Sequence, residues 1–281
     1  MSQWSIRMLM LLIAGIVCFF KMEAWAGAWS QEQGHLYAKV SGLFYASDEF
    51  YDDMGQKRPM GMDNDRFESG KAFLYVEYGL AKRLTVITQL QQGVITSEND
   101  LMRSKTTGVG DLDFGIKYQL TDKPLVLAPF MTVKIPTGYH NNYDPALGTG
   151  KVDVESRLLI ARSFYPWPVY IGGEAGYRLN GGIYSNQIPY ALEIGGSPHR
   201  NVFVKGYIDG KDTLTKKNQN TGEIDFSSLW VFEGDFTKMG MNIALNLRGP
   251  LWVDLLIERI VTGENSGAGG AFGVGVSYKG E

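Results

Sequence analysis

The sequence has almost no cysteine, no excess of one charge and, after residue 26, no long apolar run. Cys18 is the single cysteine among 281 residues, so a disulfide framework is excluded. Lys and Arg number 27 against 30 Asp and Glu, and this balance argues against a nucleic-acid partner. Mean hydropathy is −0.14, too polar for a chain built from membrane helices of about 20 apolar residues. A polytopic helical membrane protein is therefore excluded as well.

The amino terminus has the pattern of a secretory signal peptide. Arg7 precedes an apolar run at 8–20, and the small-residue site Ala24-Trp25-Ala26 follows that run. We expect cleavage after Ala26, which removes 1–26 and leaves 27–281 as a single exported domain without cysteine. A membrane anchor is the alternative, but the apolar run is short for spanning a bilayer.

The remainder of the chain alternates between apolar and polar residues with a period of two. In the clearest stretch, Phe114 and Ile116 share one face while Asp113 and Lys117 share the other. A β-strand separates such residues cleanly, whereas a helix scatters them around its surface. The pattern predicts twelve strands of about ten residues, the length of a tilted membrane-spanning strand. They are 34–46, 68–80, 84–95, 108–120, 125–135, 151–162, 169–180, 188–196, 201–211, 235–247, 251–261 and 269–279.

Short and long linkers alternate between the predicted strands. Short turns are predicted at 79–83, 121–124, 164–168, 197–200 and 248–250. Longer polar loops are predicted at 47–67, 96–107, 136–150, 181–187, 212–234 and 262–268. This alternation and an even number of strands are typical of bacterial outer-membrane barrels, whose long loops lie outside the cell. The segment 226–236 also alternates, and we assign it to a loop because another strand would break the parity.

A membrane barrel has its polar face inward, whereas a soluble barrel has its polar face outward. A polar interior is favoured because charged residues recur at mid-strand, and because twelve strands enclose more space than side chains fill. Apolar-face aromatic residues also gather near strand ends, as expected at two membrane interfaces; they are Tyr78, Tyr118 and Tyr278 near short turns, and Phe44, Tyr177 and Tyr190 near long loops. We therefore predict an all-β, transmembrane, antiparallel up-and-down barrel, with a secreted β-sandwich as the alternative.

The charged residues of the polar faces are the candidate pore-lining residues. They are Lys39, Lys71, Glu77, Asp111, Asp113, Lys117, Lys134, Asp153, Glu155, Arg157, Glu174, Arg178, Glu193, Lys205, Asp209, Lys238, Asp254 and Glu258, with Lys211 as a further base. Opposite charges on neighbouring strands can pair and cross-link the interior, or they can form a constriction that selects solutes. We expect pairing between the strand of Asp111, Asp113 and Lys117 and that of Lys134. The near balance of charge predicts weak ion selectivity.

Several short motifs resemble an outer-membrane family named for the MetA pathway of phenol degradation. They are the run Thr107 to Tyr118 (TGVGDLDFGIKY), Lys134-Ile135-Pro136-Thr137-Gly138, Glu77-Tyr78-Gly79-Leu80 with Arg83-Leu84, and Gly263-Glu264-Asn265-Ser266 before Gly273 to Tyr278. The resemblance covers most of the expected mature chain. It implies an outer-membrane barrel that passes small, often hydrophobic or aromatic, molecules. It also implies contact with the barrel-assembly machinery through a terminal aromatic residue, whereas here Tyr278 is followed by three more residues.

Residues that could support catalysis or bind a metal are few. A Ser/His pair needs the two side chains within hydrogen-bond reach, and His35 with Ser277 is the one pair that the strand order allows. The acidic loop around Asp63-Asn64-Asp65 lacks the full spacing of a calcium loop. It is interpreted as a solvated loop, or alternatively as a site where divalent cations bridge to lipopolysaccharide phosphates. We expect no cofactor and no enzyme activity.

Together these features predict a channel for passive uptake of small molecules in the outer membrane of a Gram-negative bacterium. The expected partners are outer-membrane lipid, lipopolysaccharide, the assembly machinery and a small-molecule solute, and no nucleic acid. Two alternatives remain open. One is a non-conducting structural or adhesive barrel whose loop 212–234, with Phe226, Trp230 and Phe232, binds a partner. The other is a surface lipid hydrolase that uses His35.

Overall fold

Alternation of apolar and polar side chains produces a barrel of antiparallel strands in the computed structural model of the protein. The structure describes residues 27–60, 65–139, 145–214 and 233–280. The expected signal peptide, 1–26, lies outside the described residues, as do His140, Asp63 and Asn64. Within the described ranges, no helix is long and apolar enough to cross a membrane.

Twelve of the strands form one closed barrel, so the predicted number and order of barrel strands are confirmed. Each barrel strand pairs antiparallel with the barrel strands before and after it in the chain, and β1 closes the barrel against the last strand. The barrel strands are β1 (Leu36–Ser47), β4 (Arg66–Ala81), β5 (Leu84–Glu98), β6 (Arg103–Tyr118), β7 (Val126–Pro136), β8 (Asp153–Ser163), β9 (Val169–Leu179), β10 (Gln187–His199), β11 (Val202–Thr213), β12 (Asp235–Arg248), β13 (Leu251–Glu264) and β15 (Gly270–Gly280).

Three further short strands lie in segments that the sequence pattern assigns to loops. They are β2 (Glu49–Tyr51), β3 (Lys57–Pro59) and β14 (Ser266–Gly267), and they form a separate sheet in the order β14-β2-β3. The sheet joins the first long loop to the last one, because both loops leave neighbouring strands at the same end of the barrel. Three-residue strands carry too little alternation to be recognised in a sequence.

The predicted long loop 96–107 is wrong. β5 continues to Glu98 and β6 begins at Arg103, so only four residues connect the two strands. Residues 96–98 and 103–107 are polar on both faces of the hairpin, and Arg103 and Glu98 form an ion pair at 3.5 Å. A strand with polar residues on both faces lacks the apolar alternation by which the rest of the barrel was predicted.

The barrel turns its apolar face outward and its charged face inward. On β6, Phe114 and Ile116 are 47% and 46% exposed, whereas Lys117 is 2% exposed. The same alternation holds along the other barrel strands. Below, the end of the barrel that carries the short turns is called the short-turn end, and the opposite end is called the long-loop end.

Candidate channel interior

All of the charged residues predicted for the polar faces lie on the inward side of the barrel. They alternate with outward-facing residues on each strand, and none of them is exposed. The most completely covered are Lys117 and Asp254, both 2% exposed, and Glu77, which is 1% exposed. That these residues line a path for solutes stays a prediction, because inward position alone does not show passage.

Cross-strand ion pairs connect β6, β7, β8 and β9 through the interior. Lys134 on β7 lies between two carboxylates, with its Nζ 3.5 Å from Asp111 Oδ2 and 2.5 Å from Asp153 Oδ2. Its position follows from the register, which sets Lys134 opposite Asp153 on one side and Asp113 on the other. The predicted pairing between the strand of Asp111 and that of Lys134 is therefore present.

The same network continues onto β8 and β9 through alternating charges. Arg157 contacts both Glu155 and Glu174, and Arg178 contacts Glu155 from the opposite side. Each of these carboxylates thus has a guanidinium partner, which matches the planar geometry of the two groups. Together with the Lys134 pairs, the arrangement holds the four neighbouring strands β6 to β9 together from the inside.

A second group of pairs lies on the other side of the interior. Lys205 Nζ is 3.1 Å from Glu193 Oε2, and Lys238 Nζ is 3.1 Å from Glu258 Oε2. Tyr207 donates a hydrogen bond of 2.6 Å to Glu258. Charged groups in a poorly hydrated interior need such partners, because an uncompensated buried charge is costly.

The partner of Lys117 is not on the neighbouring strand that the sequence analysis assumed. Its Nζ is 3.8 Å from Glu77 Oε2 on β4, across the intervening strand β5. Glu77 also accepts a hydrogen bond of 2.5 Å from Tyr75. The curvature of a closed barrel brings alternate strands together on the inside, and the long lysine side chain spans the remaining distance.

The N-terminal segment, residues 27–35, enters the barrel at the short-turn end, with 27–31 covered and 32–34 exposed, which the sequence analysis did not predict. Lys117 Nζ donates a hydrogen bond of 2.8 Å to the Gly27 carbonyl oxygen, and Gln31 Nε2 donates one of 2.9 Å to Glu77 Oε2. The backbone N–H of Ser30 donates to Gln119 Oε1 at 2.8 Å. Interior side chains of β4 and β6 therefore satisfy polar groups of the segment.

Apolar contacts also hold the N-terminal segment in place inside the barrel. Ala28 is 2% exposed and packs in a cluster with Val126, Ala128, Leu159 and Ala161. Trp29 packs against this cluster and against a second one, made by Tyr170, Phe203 and Ala244. The Trp29 and Tyr170 rings meet edge to face, with centroids 5.3 Å apart. The short-turn end thus has an apolar core, unlike the charged interior above it.

The close approach of the segment to the wall depends on Gly79. A Cβ atom at this position would lie 1.9 Å from the carbonyl oxygen of Glu32. Gly34 N donates to Gly79 O at 2.9 Å, and Gly79 N donates to His35 O at 3.0 Å, so the two backbones are in direct contact. A side chain at residue 79 would separate them.

A cavity of about 260 Å³ lies in the interior. It is lined by Gly27 and Ala28 and therefore lies directly above the N-terminal segment. Its charged lining residues are Glu77, Lys117, Glu174, Glu193, Lys205 and Asp209. A larger cavity, of about 920 Å³, is lined mostly by outward-facing residues of β1, β4, β5 and β15, among them Phe44, Gly70, Val94 and Phe272, so it lies on the outer face of the barrel toward the long-loop end.

Side chains in two loops at the long-loop end make polar contacts. One loop contacts an interior carboxylate, and the other is held together by an aspartate of its own turn. Tyr139 donates a hydrogen bond of 2.6 Å to Asp111 Oδ1. Burial raises the pKa of Tyr139, and the contact with the Asp111 carboxylate raises it further. Asp52 accepts hydrogen bonds from Arg58 and from backbone N–H groups of the turn, and the Arg58 guanidinium lowers the pKa of Asp52.

The structure does not form the His35–Ser277 pair that a hydrolase would need. Ser277 lies opposite Lys39 in the β1–β15 register, whereas His35 precedes Leu36, which is opposite Gly280. His35 Nε2 is 3.8 Å from Glu32, and Ser277 Oγ is 3.5 Å from Asp254. Among the described residues, no group of three His, Cys, Asp or Glu side chains could hold a metal ion.

Comparisons with solved structures bear on the fold. The COG4313 outer membrane channel from Pseudomonas putida F1 superposes with a TM-score of 0.72 at 15% identity, over 92% of this chain and 100% of the other. The two proteins share the fold of a closed antiparallel barrel. The translocator domain of the autotransporter NalP from Neisseria meningitidis has a TM-score of 0.51 at 10% identity, over 88% of this chain and 89% of the other. The KdgM porin has the same TM-score at 6% identity, over 84% and 98%.

Sequence comparison adds no relative. No protein-family model matches the chain, and no curated protein matches it either. The resemblance to the phenol-degradation family therefore rests on its short motifs, and the structural likeness supports the barrel that those motifs imply.

Proposed function

We propose that this protein is a passive channel for small molecules in the outer membrane of a Gram-negative bacterium. The observation that carries the proposal is a closed twelve-stranded barrel with an apolar exterior and a charged interior. An exterior of this kind is stable against acyl chains, and a charged interior tolerates water and polar solutes. We infer that residues 1–26 are removed on export and that 27–281 form the mature, single-domain barrel.

The positions of outward aromatic residues support this orientation. Tyr78, Tyr118 and Tyr278 are 41%, 45% and 42% exposed and lie near the short turns, while Phe44 and Tyr177 lie toward the long loops. Two such bands match the two interfaces of a bilayer. The short turns then face the periplasm and the long loops face the outside, where they meet lipopolysaccharide. Insertion by the barrel-assembly machinery is part of the same proposal.

The solute that this channel passes is inferred from the motifs and from the interior together. The motifs imply small, hydrophobic or aromatic molecules, and the Pseudomonas putida neighbour is an outer membrane channel. In the structure the N-terminal segment fills the short-turn end of the barrel. Passage therefore requires this segment to leave its seat, and we infer that it acts as a plug.

Planar-bilayer recording and liposome swelling test the channel. The full mature protein should give discrete conductance steps and should admit small neutral solutes into liposomes. A variant lacking residues 29–33 keeps the expected cleavage site and should conduct more. If both proteins are inserted and correctly folded but neither admits ions or solutes, the channel proposal is wrong.

A non-conducting barrel is the second candidate, and one observation favours it. The interior is crossed by ion pairs and closed at one end by packed apolar groups, as a purely structural barrel would be. Silence of the variant lacking residues 29–33 in both assays would support this candidate over the channel. The proposed adhesive loop falls largely at 215–232, outside the described residues.

A further inference from the structure

We propose that the barrel interior contains a binding site for a primary ammonium group, and that its occupant is the α-ammonium group of the processed chain. The proposal rests on the cleavage after Ala26 that belongs to the proposed function and that makes Gly27 the first residue of the mature protein. Cleavage converts the amide N–H of Gly27 into an ammonium group. The ordinary pKa of such a group is about 7.7–8.0, so it is positively charged at neutral pH.

Gly27 faces an acidic part of the interior. It lines the cavity of about 260 Å³ above the N-terminal segment. Among the described residues, the wall of this cavity contains more carboxylates than bases: Glu77, Glu174, Glu193 and Asp209 against Lys117 and Lys205. A cation added at residue 27 is therefore attracted to the wall, because charges interact more strongly in a protein interior than in water.

The bases that pair with these acids from outside the cavity wall are shared with other carboxylates. Arg157 contacts two glutamates. Lys238 Nζ lies 3.5 Å from Asp209 Oδ2 and 3.1 Å from Glu258 Oε2. A carboxylate that shares its base is only partly compensated, and an uncompensated buried charge is costly. A further cation beside the cavity therefore stabilises this group of acids.

Glu193 is the carboxylate in direct contact with Gly27. A Cβ atom built on Gly27 would lie 3.3 Å from Glu193 Oε1, so the carboxylate lies against the backbone of this residue. Lys205 Nζ contacts the other carboxylate oxygen, Oε2, at 3.1 Å. Glu193 can therefore accept a charge-assisted hydrogen bond from Lys205 at one oxygen and from the terminal ammonium group at the other.

Two contacts keep the nitrogen of Gly27 near this carboxylate. Lys117 Nζ donates a hydrogen bond of 2.8 Å to the Gly27 carbonyl oxygen, and the next residue, Ala28, is packed in the apolar cluster at the short-turn end. The backbone nitrogen of any residue lies only about 2.5 Å from the Cβ position of the same residue. The new ammonium group is thus within reach of Glu193 without movement of the segment.

The site connects processing of the chain with closure of the barrel. Before cleavage, residue 27 has a neutral amide nitrogen, and only the processed chain carries the charge that the acidic wall attracts. Maturation therefore strengthens the attachment of the plug. The apolar contacts of Trp29 hold the middle of the N-terminal segment, and the ammonium group holds its tip.

Amine labelling of the purified mature barrel in detergent tests the site and does not require conductance. Mass spectrometry of the N-terminal peptide should show Gly27 as the first residue, and any other first residue would overturn the proposal. The folded protein is then treated with sulfo-NHS acetate at neutral pH, and acetylation of Gly27 is compared with that of Lys123, an exposed lysine of a short turn. Gly27 should react at least tenfold more slowly. After unfolding it should react faster than Lys123, because an α-amino group has the lower ordinary pKa.

Glu193→Gln should speed the labelling of Gly27 at least tenfold, because the ammonium group loses its charged partner. Glu258→Gln is the matched control: Glu258 also pairs with a lysine at 3.1 Å, but it does not line the cavity beside Gly27. It should leave the labelling rate unchanged. Glu193→Asp, which moves the carboxylate away by one methylene group, should give a smaller increase than Glu193→Gln and serves if the latter does not fold.

Heat-dependent gel migration shows whether each variant is folded. Equal labelling rates in the folded Glu193 and Glu258 variants, or labelling of Gly27 as fast as that of Lys123 in the unchanged folded protein, would overturn the site. Liposome swelling with neutral solutes tests the channel separately. A barrel that protects Gly27 but admits no solute would contradict the channel alone, and a conducting barrel with an unprotected Gly27 would contradict the ammonium site alone.

Discussion

Removal of the Trp29 side chain should release the N-terminal segment from the barrel. Trp29 packs against both apolar clusters of the short-turn end and meets the Tyr170 ring at 5.3 Å. The residue belongs to the segment and not to the wall, so Trp29→Ala leaves the strands and their ion pairs intact. The substitution therefore changes the equilibrium between seated and released segment without weakening the barrel.

The size of the effect follows from the packing. Replacing a core tryptophan by alanine costs about 3–5 kcal/mol, and Trp29 is half-buried, so the lower end of that range, about 3 kcal/mol, applies. At about 1.4 kcal/mol per tenfold change, the ratio of released to seated segment should rise roughly 100-fold. The hydrogen bonds of Gly27, Ser30 and Gln31 remain, so the segment should still reseat between openings.

Single-channel recording in planar bilayers measures this ratio as the time spent open against the time spent closed. Trp167→Ala is the matched control, because Trp167 lies in a short turn at the same end, is 71% exposed and is not part of either apolar cluster. It should leave the open fraction unchanged. If Trp29→Ala opens no more often than the control while deletion of residues 29–33 does, the plug stands and the energetic reasoning about Trp29 is wrong.

Three further predictions follow from close contacts of the structure. Gly79→Ala should raise the open fraction, because the new Cβ would lie 1.9 Å from a backbone oxygen of the segment. Gly206→Ala should not, because its new Cβ would lie 4.0 Å from the nearest atom, Ile194 Cγ2. Glu155→Gln should destabilise the barrel by about 3 kcal/mol, since it leaves two guanidinium groups without a shared carboxylate, and heat-dependent gel migration would show this as a lower transition temperature. The lowered pKa of Asp52 means that its stabilisation of the first loop is present above the ordinary aspartate pKa and is lost as the pH falls through the lowered one. Asp52→Asn imitates the protonated form and should speed trypsin cleavage after Lys57 at neutral pH, and an unchanged rate would contradict this.

Much of the barrel could be predicted because each spanning strand must satisfy two environments at once. Lipid on one side and charge on the other impose alternation along every strand, as Phe114 and Lys117 show. Where that constraint ends, prediction fails: the ends of β5 and β6 at 96–98 and 103–107 are polar on both faces, and β2, β3 and β14 are too short to show a period. The inward position of the charged residues could therefore be predicted, but the loop sheet could not.

The N-terminal segment could not be predicted for a different reason. Its contacts join residues far apart in the chain, as Ser30 and Gln119 do across 89 positions, and several of them use backbone groups that no side-chain pattern records. The one sequence signal available was the clustering of small and apolar inward residues, such as Ala128 and Ala161, at the short-turn ends of two strands. An interior face that turns apolar at one end needs an apolar occupant, because exposing it to water is unfavourable.

A twelve-stranded barrel is too wide for its own side chains to fill, and this protein divides its interior into two levels. At the short-turn end the segment around Trp29 fills the space, and above it ion pairs such as Lys134 with Asp153 cross the interior. Opening and selection therefore belong to different residues in the proposed channel. Substitutions in the segment should change how often solutes pass and leave their ranking unaltered, whereas substitutions in the ion pairs should change the ranking and leave the open fraction unaltered. A variant of either class that shifts both properties together would show that the levels are coupled, and the plug would then have to be treated as part of the selecting site.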